Sequence, residues 1–124
     1  MAECLLKQQF PERQIVSAGL VAMVDRPADA KAQQCMTALG LELNQHRAQQ
    51  INAYLIKSHD LILVMSAQQQ RHIEQEWPFA KGKVFRLGHW QQMDIPDPYQ
   101  KEQAAFDQAC TLIQSCIEDW IDYL

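Results

Sequence analysis

Leu61-Ile62-Leu63-Val64 is an unbroken apolar run, bounded by Asp60 before it and Ser66 shortly after. It is too short for a buried helix and lacks the apolar-polar alternation of a strand with one wet face. A run of this kind fits a strand covered on both sides, and strands covered on both sides belong to parallel sheets layered between helices. That expectation organises the rest of the chain. Met1–Gln9 carries Ala2, Leu5, Leu6 and Gln9 at helical spacing, has no N-cap residue, and stops at Phe10-Pro11-Glu12. Gln14–Leu20 reads as a short strand running into a turn at Gly19. Val24–Asp29 is a loop with Asp29 as N-cap of a helix whose apolar face is Ala32, Cys35, Met36 and Leu39, closed by Gly40 at C′. Gln45–Lys57 reads as a shorter, partly irregular helix and Ala67–Glu76 as a polar, Gln-rich one ended by Trp77-Pro78. Gly82–Leu87 is a further strand. The last helix is expected from about Gln100 to Tyr123, with a buried stripe of Phe106, Cys110, Ile113, Ile117, Trp120, Ile121 and Leu124. Strands alternating with helices give an α/β fold of three layers, a parallel sheet flanked by helices on both faces, in one domain over residues 1–124.

In such sheets the functional site lies beyond the carboxyl ends of the strands. Ser17 follows the first expected strand, His46 lies in a connection, and Asp97 stands in the loop after the last strand. Asp97 sits between Pro96, whose φ is restricted by its ring, and Pro98, which pushes Asp97 into extended backbone. A carboxylate on so stiff a loop suits proton transfer, where geometry comes before pKa. The plainer reading is a helix-entry turn, with Asp97 near the positive end of the last helix. Asp94 lies three residues earlier and outside the prolines, and its substitution is expected to matter little.

Composition narrows the classes. Hydrophobic residues make up 48% of the chain, which suits a globular domain, and no apolar run approaches the ~20 residues of a membrane helix. Eleven basic and fifteen acidic residues leave a net charge of -4 and no basic stripe, so neither nucleic acid nor membrane is expected as a partner. No export signal is visible, and the protein is expected in the cytoplasm. Cys4, Cys35, Cys110 and Cys116 match neither a zinc site nor a Cys-x-x-Cys redox pair, so they read as reduced thiols in apolar faces, with no metal and no cofactor implied. Cys110 and Cys116 fall in one helix ~600° of rotation apart and face different ways.

The succession Ser17-Ala18-Gly19, His46-Arg47-Ala48-Gln49-Gln50, Asp60 to Met65, Gly88-His89-Trp90 and Ile95-Pro96-Asp97-Pro98-Tyr99 resembles the low-molecular-weight protein-tyrosine phosphatases. It is most similar to the bacterial branch that acts on tyrosine kinases of polysaccharide export, and the resemblance spans the whole chain. It implies that Asp97 is the general acid that protonates the leaving phenolate and that Tyr99 walls the substrate ring. It implies that Ser17 and His46 support the phosphate-binding loop, and that the partner is a phosphotyrosine protein. The sequence departs from the family at Gln49, where Arg is frequent, and at Ser66, where an acidic residue is frequent.

The family's nucleophile motif, Cys, five residues, Arg, then Ser or Thr and Pro, is not in this sequence. The residues six positions after the four cysteines are Phe10, Leu41, Cys116 and Asp122. Met1-Ala2-Glu3 resembles the residues that follow that motif. The expectation is an N-terminally truncated phosphatase whose first, central strand is missing and which is inactive as it stands. The alternatives are a natural non-catalytic relative that binds a phosphotyrosine protein and a remnant of a related arsenate reductase. A missing central strand should leave the strand ending at Ser17 and the strand Leu61–Val64 either paired directly or filled from a second copy in a homo-oligomer.

Overall fold

The computed structural model describes residues 1–124. Five α-helices and two strands follow in the order α1 (Ala2–Gln9), α2 (Ala30–Ala38), α3 (Ala53–Ser58), β1 (Ile62–Val64), α4 (Ala67–Glu76), β2 (Val84–Arg86) and α5 (Gln103–Trp120), with a 3-10 turn at Pro78–Ala80. β1 and β2 run parallel in the register Ile62 to Val84, Leu63 to Phe85 and Val64 to Arg86. This is the expected α/β arrangement, a parallel sheet with helices on both faces.

Side chains alternate across a strand, and here each face feeds its own core. Ile62, Val64 and Val84 pack with Ile56 of α3, Ile73 of α4 and Ala80. Leu61, Leu63, Met65, Phe85 and Leu87 turn the other way, onto α1, α2 and α5. Met36, Leu87 and Cys116 are fully buried there. α5 supplies Phe106, Ala109, Cys110, Ile113, Cys116, Ile117 and Trp120 to this larger core. The Trp120 indole N–H, buried with its ring, donates to the Leu87 carbonyl at 2.8 Å and so ties α5 to the end of β2.

Local chemistry accounts for most element ends. Asp29 caps α2 by accepting from the Lys31 amide, and Gly40 takes φ +76° just past the helix, as expected. Ser66 caps α4, accepting from the Gln69 amide. The irregular part of the Gln45–Lys57 segment is larger than expected. The Asn52 side chain caps the Leu55 amide, so α3 starts only at Ala53, while Arg47 and Gln50 spend their backbone on bridges to Pro27 and Gly19. α5 begins at Gln103, because Gln100 at φ +60° cannot continue a helix. It ends at Trp120, which leaves Ile121 on the surface rather than in the stripe.

Gln14–Leu20 does not form the expected strand. Only Gly19 pairs, through Gly19 N–H to the Gln49 carbonyl and Ile51 N–H to the Gly19 carbonyl. These bonds, with the Gln49 side-chain amide donating to the Ser17 carbonyl at 2.8 Å, hold the segment to residues 49–51 and away from β1. The two edges have not collapsed onto each other. An apolar slot of about 800 Å³ lies between them, lined by Ile15, Val16, Leu61, Leu63, Leu6 and Phe10 among others. Ile62 N–H and the Val64 carbonyl bond toward β2. By the alternation of a parallel ladder the backbone groups of Leu63 face the slot.

All four cysteines are free; Cys35, Cys110 and Cys116 are buried and Cys4 is half-buried. Cys110 and Cys116 both lie in the same core, because the buried stripe of α5 is wide enough to take both. No helix of the structure is long and apolar enough to cross a membrane.

Candidate active site

The loop from Leu87 to Tyr99 leaves the carboxyl end of β2 and is fastened at every few residues. Leu87 N–H donates to the Val64 carbonyl at 2.7 Å. Gly88 follows, and a Cβ at that position would overlap the Met93 carbonyl, so the turn closes only on glycine. The Met93 N–H returns to the Gly88 carbonyl at 3.1 Å, and the Ile95 N–H donates to the Met65 carbonyl at 2.8 Å. The Ile95 side chain is buried in the larger core. Between these anchors, Asp94 Oδ1 accepts from the Arg86 guanidinium at 3.0 Å and from the Ala67 N–H at 3.1 Å.

Past Pro96, Asp97 stands in solvent. Its Oδ1 accepts from the Tyr99 N–H at 3.0 Å, a one-residue side-chain turn that orients the carboxylate. Tyr99 is half exposed. The helix-entry reading fails on position, since the residue flanking α5 is Glu102. Asp94, whose substitution is expected from the sequence to matter little, accepts two hydrogen bonds that the sequence did not indicate. Its partners Arg86 and Ala67 are 8 and 27 residues away in the chain. The Arg86 hydrogen bond, then the one from Ala67, holds its carboxyl below the ordinary range despite slight desolvation.

Ser17 and His46 come together at a second place, a cleft of about 250 Å³ that they line with Ala18, Gly19, Ala22, Ala48 and Gln49. Glu3 of α1 joins them. Its Oε1 accepts from the Ser17 hydroxyl at 2.8 Å, its Oε2 accepts from Lys7 at 3.2 Å, and His46 Nδ1 stands 3.8 Å from Oε2. Gln49 holds the Ser17 backbone with its neutral side-chain amide. Gln50 binds the Ala22 N–H and the Leu20 carbonyl, which ties down the turn after Gly19. No hydrogen bond or ion pair joins Ser17 or His46 to Asp97 or Tyr99, so the four expected residues form two separate groups.

The sequence as a whole matches the family model described as low molecular weight phosphotyrosine protein phosphatase, over residues 1–124. The chain belongs to that family. It is 56% identical over 124 residues to the low molecular weight protein-tyrosine-phosphatase Ptp of Acinetobacter johnsonii, covering all of this chain and 87% of that protein. It is 40% identical over 127 residues to the phosphatase Wzb of Salmonella typhimurium, covering 99% and 83% of the two chains. Among solved structures, Vibrio vulnificus Wzb in complex with benzylphosphonate superposes with a TM-score of 0.94 at 34% identity, covering 99% of this chain and 88% of that one.

Glu3, in contact with Ser17 and His46, and Asp94, three residues before Asp97, are the neighbours of the candidate residues that the sequence did not reveal. Glu3 carried no signal, because its partners Ser17 and His46 lie in other elements and only the fold brings them near. Burial works to raise the Glu3 pKa. Hydrogen bonds from Ser17 and Lys7, with the charges of Lys7 and His46, outweigh it and hold the carboxyl below its ordinary 4.5. A lowered folded-state pKa means the ionised form is the stabilising one. The contribution is complete above the unfolded value and is lost as pH falls through the folded one. Glu3→Gln is therefore expected to lower the urea midpoint at neutral pH, with the gap to the parent protein closing as pH drops below about 4.5. Equal urea midpoints at neutral pH, or a gap that widens in acid, would contradict the assignment.

Proposed function

We propose that residues 1–124 carry the acid and the loop-supporting half of an enzyme that hydrolyses phosphotyrosine on proteins. The substrate we propose is a bacterial tyrosine kinase of polysaccharide export, met in the cytoplasm. The observation that carries this reading is the family match over the whole chain, together with an exposed carboxylate held on a proline-stiffened loop at the carboxyl end of a parallel strand. The benzylphosphonate held by the Vibrio vulnificus relative is a ring one carbon from a phosphonate, close in shape to the head of phosphotyrosine. Tyr99 would flank such a ring here.

Phenolate, with a pKa of about 10, leaves poorly at neutral pH. In the proposed reaction a cysteine thiolate forms the S–P bond as the P–O bond to the ring breaks, and protonated Asp97 gives its proton to the departing oxygen. Asp97, now ionised, then takes a proton from the water that attacks phosphorus, the S–P bond breaks and phosphate leaves. Ser17 and His46, bridged by Glu3, would brace the backbone that cradles the phosphoryl oxygens. The thiolate is not one of the four cysteines of this sequence. None is followed by Arg at the sixth position, and burial raises the pKa of every one, Cys35 to about 11 with the Asp107 carboxylate adding to the effect. Buried thiols of this kind are poor nucleophiles, which also weighs against an arsenate reductase remnant.

Residues 1–124 alone are expected to release no phenol from an aryl phosphate. Joined to a segment that supplies a strand and a Cys-x5-Arg-Ser-Pro loop, they should turn it over. In that joined protein Asp97→Asn should cost ~10²–10⁴ in turnover, the usual worth of a positioned acid. Turnover by the 124 residues alone, or an Asp97→Asn variant as fast as its parent, would sink the proposal. The unpaired edge of β1 also makes self-association the expected behaviour of residues 1–124 in isolation, with a second copy entering the slot. Sedimentation should show a dimer that grows with concentration; a monomer at all concentrations, with the Leu63 amide exchanging freely, would contradict it.

A further inference from the structure

We propose that Asp94 is a positioning residue for the Asp97 loop, acting as a clamp that joins β2, the start of α4 and the loop into one rigid unit. The inference rests on the reading of Asp97 as the acid, but its geometry stands independently. A single carboxylate oxygen, Asp94 Oδ1, takes hydrogen bonds from the Arg86 guanidinium at 3.0 Å and from the Ala67 N–H at 3.1 Å. Arg86 is the last residue of β2 and Ala67 the first of α4, so one side chain ties together the strand's carboxyl end and the helix that follows its neighbour. The N–H of the very next residue, Ile95, donates to the Met65 carbonyl at 2.8 Å, one residue past the end of β1.

The division of labour at the start of α4 supports a dedicated role. Ser66 takes the Gln69 N–H and the Gln69 side chain takes the Met65 N–H, which leaves the Ala67 N–H for Asp94. A negative charge here also faces the positive end of the helix. Only Ile95 and Pro96 separate Asp94 from Asp97, and Pro96 has a restricted φ. A shift at the clamp is therefore carried to the acid instead of being absorbed between them. Half of the Asp94 side chain is exposed, and the Arg86 side chain is mostly covered. A lone ion pair so exposed contributes little. The second bond, to a backbone amide at a fixed place in the fold, is what makes the contact directional.

The experiment has two arms that fail separately. In the 124-residue chain, amide exchange is followed by NMR in Asp94→Ala and Asp94→Asn. Asp94→Ala should raise the exchange rate of the Tyr99 and Ile95 amides about tenfold while Ile113 in α5 keeps its protection, since local opening does not require global unfolding. Asp94→Asn keeps an acceptor oxygen for Ala67 and should restore part of the protection. Unchanged Tyr99 exchange in Asp94→Ala, or equal loss at Tyr99 and Ile113, overturns the positioning role. In the protein joined to a Cys-x5-Arg-Ser-Pro segment, Asp94→Ala should lower kcat with KM unchanged, and more for phenyl phosphate than for an electron-poor aryl phosphate. A loss equal for both substrates, or confined to KM, overturns it. If Asp97→Asn shows no dependence on the leaving group, the reading of Asp97 fails, and the exchange arm still decides whether Asp94 holds the loop.

Discussion

The hydrogen bonds from Leu87 N–H to the Val64 carbonyl and from Ile95 N–H to the Met65 carbonyl fasten the carboxyl ends of both strands to the loop that follows β2. The parallel pairing of β1 with β2 sets the two core faces, and these two bonds extend that order into Gly88–Tyr99. The Trp120 indole then locks α5 onto the same Leu87 carbonyl region. A short sheet with three residues per strand would be marginal alone. It is held because each face is covered by helices, and because its carboxyl end is stitched to α4, to α5 and to the loop.

The candidate residues fall in two parts with different physics. Asp97 is exposed, on backbone that proline and a side-chain turn make stiff. Its neighbours supply rigidity rather than charge. Glu3, Ser17 and His46 form the opposite kind of group, partly buried and electrostatic, in which an acidic side chain on α1 gathers a hydroxyl and an imidazole from elsewhere in the chain and the exposed Lys7 of its own helix. In the proposed reaction the first part moves a proton and the second keeps a phosphate cradle in shape. A strain or charge change in one is not transmitted to the other by any hydrogen bond.

Much of this was legible in the order of residues. The apolar run at Leu61–Val64, the Asp29 and Gly40 caps and the helix Ala67–Glu76 were readable because each depends on neighbours a few positions away. The readings that failed depend on distant partners. Gln14–Leu20 has strand composition, but a strand exists only where another edge pairs with it, and the bonds of Gly19 go to Gln49 and Ile51 instead. Ile121 follows the spacing of the α5 stripe, yet the helix has already ended. Asp97, Tyr99, Ser17 and His46 could be named from motifs, whereas Glu3 and Asp94 could not. Apart from the local Lys7–Glu3 pair, the contacts of Glu3 and Asp94 span 8 to 43 positions and no local pattern encodes them.

Whether Asp97 acts on the leaving group is tested most directly by a leaving-group series. A set of aryl phosphates of graded phenol pKa would be hydrolysed by the protein joined to a Cys-x5-Arg-Ser-Pro segment, with and without Asp97→Asn, under single-turnover conditions. If Asp97 delivers a proton to the departing oxygen, the parent's rate of phenol release should depend only weakly on phenol pKa. The variant's rate should fall steeply as the phenol becomes more basic, with the two converging for the most acidic phenols. Parallel lines, with Asp97→Asn slower by the same factor for every phenol, would show that Asp97 shapes the loop without moving a proton.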